Sequence, residues 1–293
     1  MNQFRNYFPS TMLSATTVVL GLLASGCTQE PPRPEITATE PVKTEATNSA
    51  EKPLADYNVL EWEDDFNGSS LNAQNWTPEV KDGWYNNEKQ ATTSDRRNLT
   101  VTGGNLVITA LKENYNGKAY TSARIVTKGN QDFRFGRIDV RAKLPKGKGI
   151  WPAIWLLGSN DSQVSWPACG EIDIMELKGS NPQTSLTALH FGNSVATKPP
   201  ALTSAYSLPN GLFSDDFHVF TLVRSLNKMR FYVDNNEYFS ATDKDVSVYP
   251  FNNPFYMILN VAVGGDFDGD PDASTVFPQQ MLVDYVKYYK YAE

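Results

Sequence analysis

Gly170-Glu171-Ile172-Asp173-Ile174-Met175-Glu176 sets three carboxylates among apolar residues in a single short run. Successive side chains of a strand point to opposite faces, so residues two apart share a face. Glu171 and Asp173 therefore look the same way, whereas Glu176, five residues from Glu171, would fall on the other side of a regular strand. One extra residue at Ile174 or Met175, a β-bulge, brings Glu176 back into line, and bulges recur beside active sites because they re-aim a side chain. Three acids on one face repel one another, and at least one is expected to hold its proton near neutral pH. A fold carries that cost mainly where acid/base chemistry uses it. The bland alternative is a solvated acidic strand at a sheet edge. Trp151-Pro152-Ala153-Ile154-Trp155 and Trp166-Pro167 lie just upstream, and aromatic rings beside paired acids point to a sugar site.

Outward from this strand the chain reads as more strands. Leu99 to Thr102 runs into Gly103-Gly104 and out through Asn105 to Ala110, a hairpin signal; Met229 to Val233, Asp234-Asn235-Asn236 and Glu237 to Phe239 form another. Arg137 to Leu144 alternates, while Ile258 to Val263 is almost continuously apolar and so reads as a central strand. No long segment carries a 3.6-residue period. Many short strands with regularly spaced turns fit an all-β sandwich or a barrel.

The ends of the chain differ from its middle. Residues 1–26 read as an export signal, with Arg5 the only basic residue and an apolar run from Met12 to Ala24 that is short for a membrane span. Leu22-Leu23-Ala24-Ser25-Gly26-Cys27 resembles a bacterial lipoprotein signal with Cys27 as the lipidated residue, although Ala24 stands where leucine is usual. This predicts an exported protein anchored by lipid to the outer membrane or cell surface. The alternative is a secreted protein cut near Ser25. Residues 27–55, rich in Pro, Thr and Glu and free of aromatic side chains up to Ala55, read as a disordered tether. Residues 56–293 make one domain.

The formal net charge of −7 argues against nucleic acid as a partner and suits a neutral polysaccharide. His190 and His218 are too few and too scattered for a zinc site. With Cys27 lipidated, Cys169 has no disulfide partner; a Cys27–Cys169 bridge is the alternative. Nothing in the sequence demands more than a monomer.

Several further segments carry a resemblance. Gly83-Trp84-Tyr85-Asn86-Asn87-Glu88-Lys89-Gln90, Gly136 to Pro145, Ala188-Leu189-His190-Phe191-Gly192, Phe255 to Gly265 and Val283-Asp284-Tyr285-Val286-Lys287 join the acidic strand in resembling glycoside hydrolase family 16, in its laminarinase-like endo-β-1,3-glucanase branch. The resemblance runs from about Leu60 to Tyr291, and the extra residue between Asp173 and Glu176 matches the bulged form of that branch. It implies a β-jelly-roll sandwich of two curved antiparallel sheets with a cleft on the concave face. It implies Glu171 as nucleophile, Asp173 as its assistant and Glu176 as general acid/base, a division the acids' spacing alone leaves open. Glu176 is then expected protonated and Glu171 ionised at rest.

For substrate binding the resemblance points to Trp84, Asn87 and Glu88 in the early cleft segment, and to Trp151, Trp155 and Trp166 beside the acids. A lone tryptophan is more often core than sugar platform, but Trp151 and Trp155, four apart, share a strand face. His190, otherwise readable as a core histidine, stands where the family places one near the acid/base, and Arg124 is a further candidate to reach substrate. No cofactor is expected for catalysis. The family often holds a structural calcium, for which Asp65, the Gly104 carbonyl and Asp284 would be the ligands, with Asp65 standing where glutamate is common; simple surface acids are the alternative.

After Gly264-Gly265 the chain departs from the family's Asn-Trp-Pro-Gly and runs Asp266-Phe267-Asp268-Gly269-Asp270-Pro271, which suggests altered subsites or a loose calcium loop. The expected partner is a β-glucan polysaccharide, with laminarin-type β-1,3-glucan first. A mixed-linkage β-1,3-1,4-glucan or a marine galactan is the enzyme alternative, and a non-catalytic glycan-binding surface lipoprotein the alternative from another class.

Overall fold

A computed structural model describes residues 48–293; the export signal, Cys27 and most of the expected tether lie outside them. Two sheets build the domain, as expected of a jelly roll. In spatial order the larger holds Asn236–Thr242, Lys228–Val233, His218–Ser225, Gly136–Lys143, Gln279–Lys290, Asn105–Tyr115, Lys118–Ser122 and Gln90–Thr92. Val59–Asp64 also pairs with Gln279–Lys290, and Leu99–Thr102 with Asn105–Tyr115. The smaller sheet runs Leu202–Ser207, Thr184–His190, Glu171–Leu177, Ile150–Gly158, Phe255–Val263, Arg124–Val126 and Thr77–Pro78. The pairings are antiparallel, apart from Gln90–Thr92 beside Lys118–Ser122, where parallel pairing replaces the expected pattern.

Period-2 patterning decides what lies between the sheets. Ile138, Val140 and Ala142 from one sheet meet Ile154, Leu156 and Leu259 from the other in one buried cluster. Each large aliphatic side chain so buried contributes about 1.5–3 kcal/mol. Phe255–Val263 is buried along its whole length, as its apolar run predicts. Its second face carries Tyr256 and Ile258, which pack with Val126, Trp155 and Leu157 in a separate cluster on the open face of the smaller sheet. That open face carries the site.

The folded domain starts earlier than the sequence suggested. Asn48 is buried, and its side-chain amide donates to the Tyr291 carbonyl at 3.2 Å while accepting from the Tyr291 N–H. Glu51 takes the Lys228 ammonium at 2.8 Å, and Tyr57 sets its ring edge-on to Tyr291. Residues 48–55, read above as the end of a tether, thus belong to the domain.

Candidate active site

The bulge falls where the spacing of the acids requires it. Along the neighbouring strand Glu171 lies opposite Leu157, Asp173 opposite Trp155 and Glu176 opposite Ala153, with one residue skipped between Asp173 and Met175. On the other side Glu171 faces His190, Asp173 faces Ala188 and Glu176 faces Leu186. Ile174 and Met175 both go to the core, so the extra residue adds apolar packing and leaves all three acids on the open face. Gly170 precedes them at φ +86°, where a Cβ would meet Pro250 and Phe255 within 3 Å; only glycine admits the chain here.

Neighbouring strands supply the acids' partners. The Trp151 indole N–H donates to Glu176 Oε1 at 2.8 Å. His190 Nε2 stands 3.5 Å from Glu171 Oε1 and 3.4 Å from Asp173 Oδ2. That Asp173 oxygen is buried and accepts no hydrogen bond among the described residues. Glu171, Asp173 and His190 each bring one ligand-type atom within 4.8 Å of the others, so the three groups act on one another electrostatically.

Burial, then the charges of Asp173 and Glu176, push Glu171 up to about 8, against the pull of His190 and Arg124. Burial and Glu176 hold Asp173 well above the usual carboxylate range. Burial also raises Glu176, opposed by the Trp151 hydrogen bond, His190 and Lys178. These shifts run against the expectation of an ionised Glu171 at rest. Burial and mutual repulsion of the three acids favour the protonated forms of Glu171 and Asp173.

The aromatic candidates gather along the same face. Trp155 Nε1 donates to Asn260 Oδ1 at 2.7 Å, and the Arg124 guanidinium lies 4.7 Å from the Trp155 ring and 4.3 Å from that of Trp84. Arg124 is aimed by Glu79, whose Oε2 accepts from its Nε at 2.6 Å. Trp84 Nε1 donates to Thr92 Oγ1 at 3.1 Å, which fixes the ring over the guanidinium. Trp166 stands 5.8 Å from the His190 ring, its indole N–H buried without a partner among the described residues.

Two candidates of the early cleft segment also have protein partners. Asn87 donates to Asp266 Oδ1 at 2.8 Å, and Glu88 accepts from Gln90 Nε2 at 2.6 Å. Burial raises Glu88 above the usual range, with Gln90, Arg124 and Lys81 opposing. Both residues brace the segment that carries Trp84.

Sequence reading passed over Lys178 and Asn260, and it flagged Phe267 and Asp268 only within a departing loop, without a role for either. Phe267 lies flat on Trp151, centroids 4.6 Å apart at 24°, with Lys178 Nζ 5.0 Å from its ring centre. The acids around Phe267 are latches. Asp268 Oδ2 accepts from the N–H groups of Gly149 and Ser180 at 2.9 and 3.1 Å, and Asp270 Oδ1 from Gly265 N–H at 3.2 Å. The suggested calcium loop thus has its acids engaged by protein donors. The departure from the family pattern after Gly265 was the signal available.

The residues named for a structural calcium have partners of their own. Asp65 accepts from the Asn67 amide at 2.7 Å, and Asp284 from Arg141 Nη1 at 2.7 Å. Their oxygens suit calcium, and a cation at Asp284 would share that carboxylate with the Arg141 guanidinium, which lowers its affinity there.

A two-sheet antiparallel sandwich that lines one open face with clustered carboxylates and indole rings is the layout of a glycoside hydrolase. The chain belongs to glycosyl hydrolases family 16, whose family model matches residues 84–287. It is 38% identical over 253 residues to a beta-glucanase of Rhodothermus marinus, covering 80% of this chain and 86% of that one. It is 34% identical over 286 residues to the glucan endo-1,3-beta-glucosidase A1 of Niallia circulans, and covers 88% of itself but only 41% of that longer relative. Among solved structures, an endo-beta-1,3-glucanase from Pyrococcus furiosus superposes with a TM-score of 0.74 at 42% identity, over 80% of this chain and 95% of that one.

Proposed function

We propose that this chain is a retaining endo-β-1,3-glucanase of the laminarinase type. The observation that carries the proposal is the Ile174 bulge, which sets Glu171, Asp173 and Glu176 on one indole-lined face. In a retaining glycosidase two carboxyl groups stand about 5–5.5 Å apart across the scissile bond. Glu171 attacks the anomeric carbon while the bond to the leaving oxygen breaks and Glu176 gives that oxygen its proton. Water then attacks the glycosyl-enzyme, Glu176 takes a proton from it, and Glu171 leaves as carboxylate. For Glu171 to attack it must be ionised, and a proton kept on Asp173 lessens the repulsion that opposes this. His190, in reach of both, stabilises the charge left on the pair. Trp84, Trp155 and Trp166 offer ring faces to pyranose rings.

The proposal extends to where the enzyme works. Export with lipid attached at Cys27 would hold a monomeric domain on the outer membrane or cell surface beside its polysaccharide. A structural calcium at Asp65, the Gly104 carbonyl and Asp284 belongs to the same reading.

The test is product analysis on linear β-1,3-glucan. Short oligosaccharides released with β-configured new reducing ends are expected. Release from mixed-linkage glucan or galactan alone would move the assignment to another substrate, and inverted products would refute the two-carboxylate mechanism. Labelling with a radioactive fatty acid, lost in Cys27→Ser, tests the anchor separately.

A further inference from the structure

The Asp266–Asp270 loop is held from three sides. Asp266 N–H donates to the Asn86 carbonyl at 2.9 Å, and its carboxylate accepts from Asn87. Asp270 pairs with Lys89 at 3.6 Å. Between them the Asp268 side chain, 3% exposed, binds the N–H groups of Gly149 and Ser180 together with the Ser180 hydroxyl. Gly149 leads into the strand that carries Trp151, and Ser180 follows the strand that carries Glu176. The carboxylate therefore ties the loop to the ends of both functional strands. At Gly265, φ +96°, a Cβ would meet the Asn86 carbonyl oxygen at 2.5 Å, so loop and cleft segment close against each other without a gap.

The ring so fixed has one contact that matters to the chemistry. Phe267 stacks on Trp151, and the same indole donates to Glu176. An indole with one face in solvent can rotate about its side-chain bonds, and a stacked ring removes that freedom. Lys178, two residues beyond Glu176, places its ammonium near the Phe267 ring.

We propose that Phe267 is a positioning residue: its ring, fastened by the Asp266–Asp270 loop, keeps the Trp151 indole in the orientation that donates to Glu176. The inference rests on the general acid/base role given to Glu176 above. The groups acting on Glu176 are Glu171, Asp173 and Lys178 from its own strand and the residue after it, His190 from the strand beyond, and the Trp151 N–H. Of these, Phe267 touches Trp151 and Lys178. Loss of the indole hydrogen bond removes an interaction that favours the ionised carboxylate, so Glu176 then holds its proton to higher pH.

The experiment follows the indole ¹⁵N–¹H signals of the full domain against pH, with the Trp151 signal assigned by its absence in Trp151→Phe. In the wild type it should move as Glu176 titrates, and the movement should vanish in Glu176→Gln. Phe267→Ala should raise the midpoint by about half a pH unit to one unit, and Phe267→Tyr should restore it. The alkaline limb of kcat/KM on β-1,3-glucan, set by loss of the acid's proton, should shift upward with it, and Phe267→Ala in a Trp151→Phe background should add nothing further. A wild-type midpoint in Phe267→Ala, or a full further shift in the Trp151→Phe background, overturns the proposal. Should the alanine variant fail to fold, Phe267→Leu removes the flat ring and keeps the bulk. A wild-type protein that cleaves no glucan refutes the glucanase reading, and the indole titration still tests the positioning role.

Discussion

Glu171→Gln keeps the shape of the side chain and removes one ionisable group from the open face. Burial and the neighbouring acids move Glu171 from its ordinary 4.5 up to about 8. A carboxyl raised in the folded state gives its full stability below the unfolded value and loses it as pH climbs through the folded one. Here the window runs from 4.5 to about 8. The shift corresponds to about 5 kcal/mol when the group is fully ionised and about 3 kcal/mol at pH 7. Because the titration of Glu171 is coupled to that of Asp173 and the Glu171 side chain keeps 18% of its exposure, the net expectation is smaller, about 1–3 kcal/mol. For a domain of this size that is about 2–10 °C in Tm. Thermal melts of both proteins from pH 4 to pH 8.5, values chosen to bracket the window, make the comparison. The glutamine variant should gain on the wild type as pH rises, and any constant offset from burying the amide cancels in the difference. A Tm difference that stays flat across the range, or falls with pH, would refute the electrostatic reasoning.

Glu176→Gln should slow turnover of glucan by about 10²–10⁴-fold, the usual cost of losing a general acid. An activated aryl glycoside, which needs no proton on its leaving oxygen, should still form a glycosyl-enzyme visible by intact mass. Asp268→Ala strips the acceptor from the Gly149 and Ser180 N–H groups and should cost about 2–4 kcal/mol in urea unfolding, with Asp268→Asn costing less. Calcium at millimolar concentration should raise Tm relative to chelator, and the rise should grow in Arg141→Met, where Asp284 is free of its guanidinium. Equal melts with calcium and chelator in both proteins would remove the metal reading.

The acidic strand was legible because its departure from period 2 had one simple repair, an extra residue at Ile174 or Met175. The apolar run Ile258 to Val263 was legible as a central strand for the same kind of reason, since nothing polar is left for solvent. What escaped was set by tertiary contact. Asp266, Asp268 and Asp270 read as a cluster of negative charge, yet Asp266 and Asp270 hold Asn87 and Lys89 of one segment while Asp268 holds Gly149 and Ser180, and only the folded chain brings these partners to them. The protein partners of Asn87 and Glu88, Asp266 and Gln90, were likewise not legible before folding. Residues 48–55 have the composition of a tether, and the side chains that hold them, Lys228 and Tyr291, lie at the far end of the sequence. The early proton assignment also needed the fold, because spacing gives the face of a carboxylate but not its burial.

The bulge at Ile174 has a consequence for inheritance. On the Thr184–His190 side, three steps along the acidic strand from Asp173 to Glu176 are matched by two steps from Ala188 to Leu186. A codon lost between Asp173 and Glu176 would make the two counts equal. Both flanks would keep their partners, and Leu177 would still point inward. Elsewhere in a sheet a one-residue deletion turns every later side chain inside out; at this point it is absorbed. Lineages can therefore gain or lose this residue and keep a folded descendant, while changing the reach between the first acid and the last.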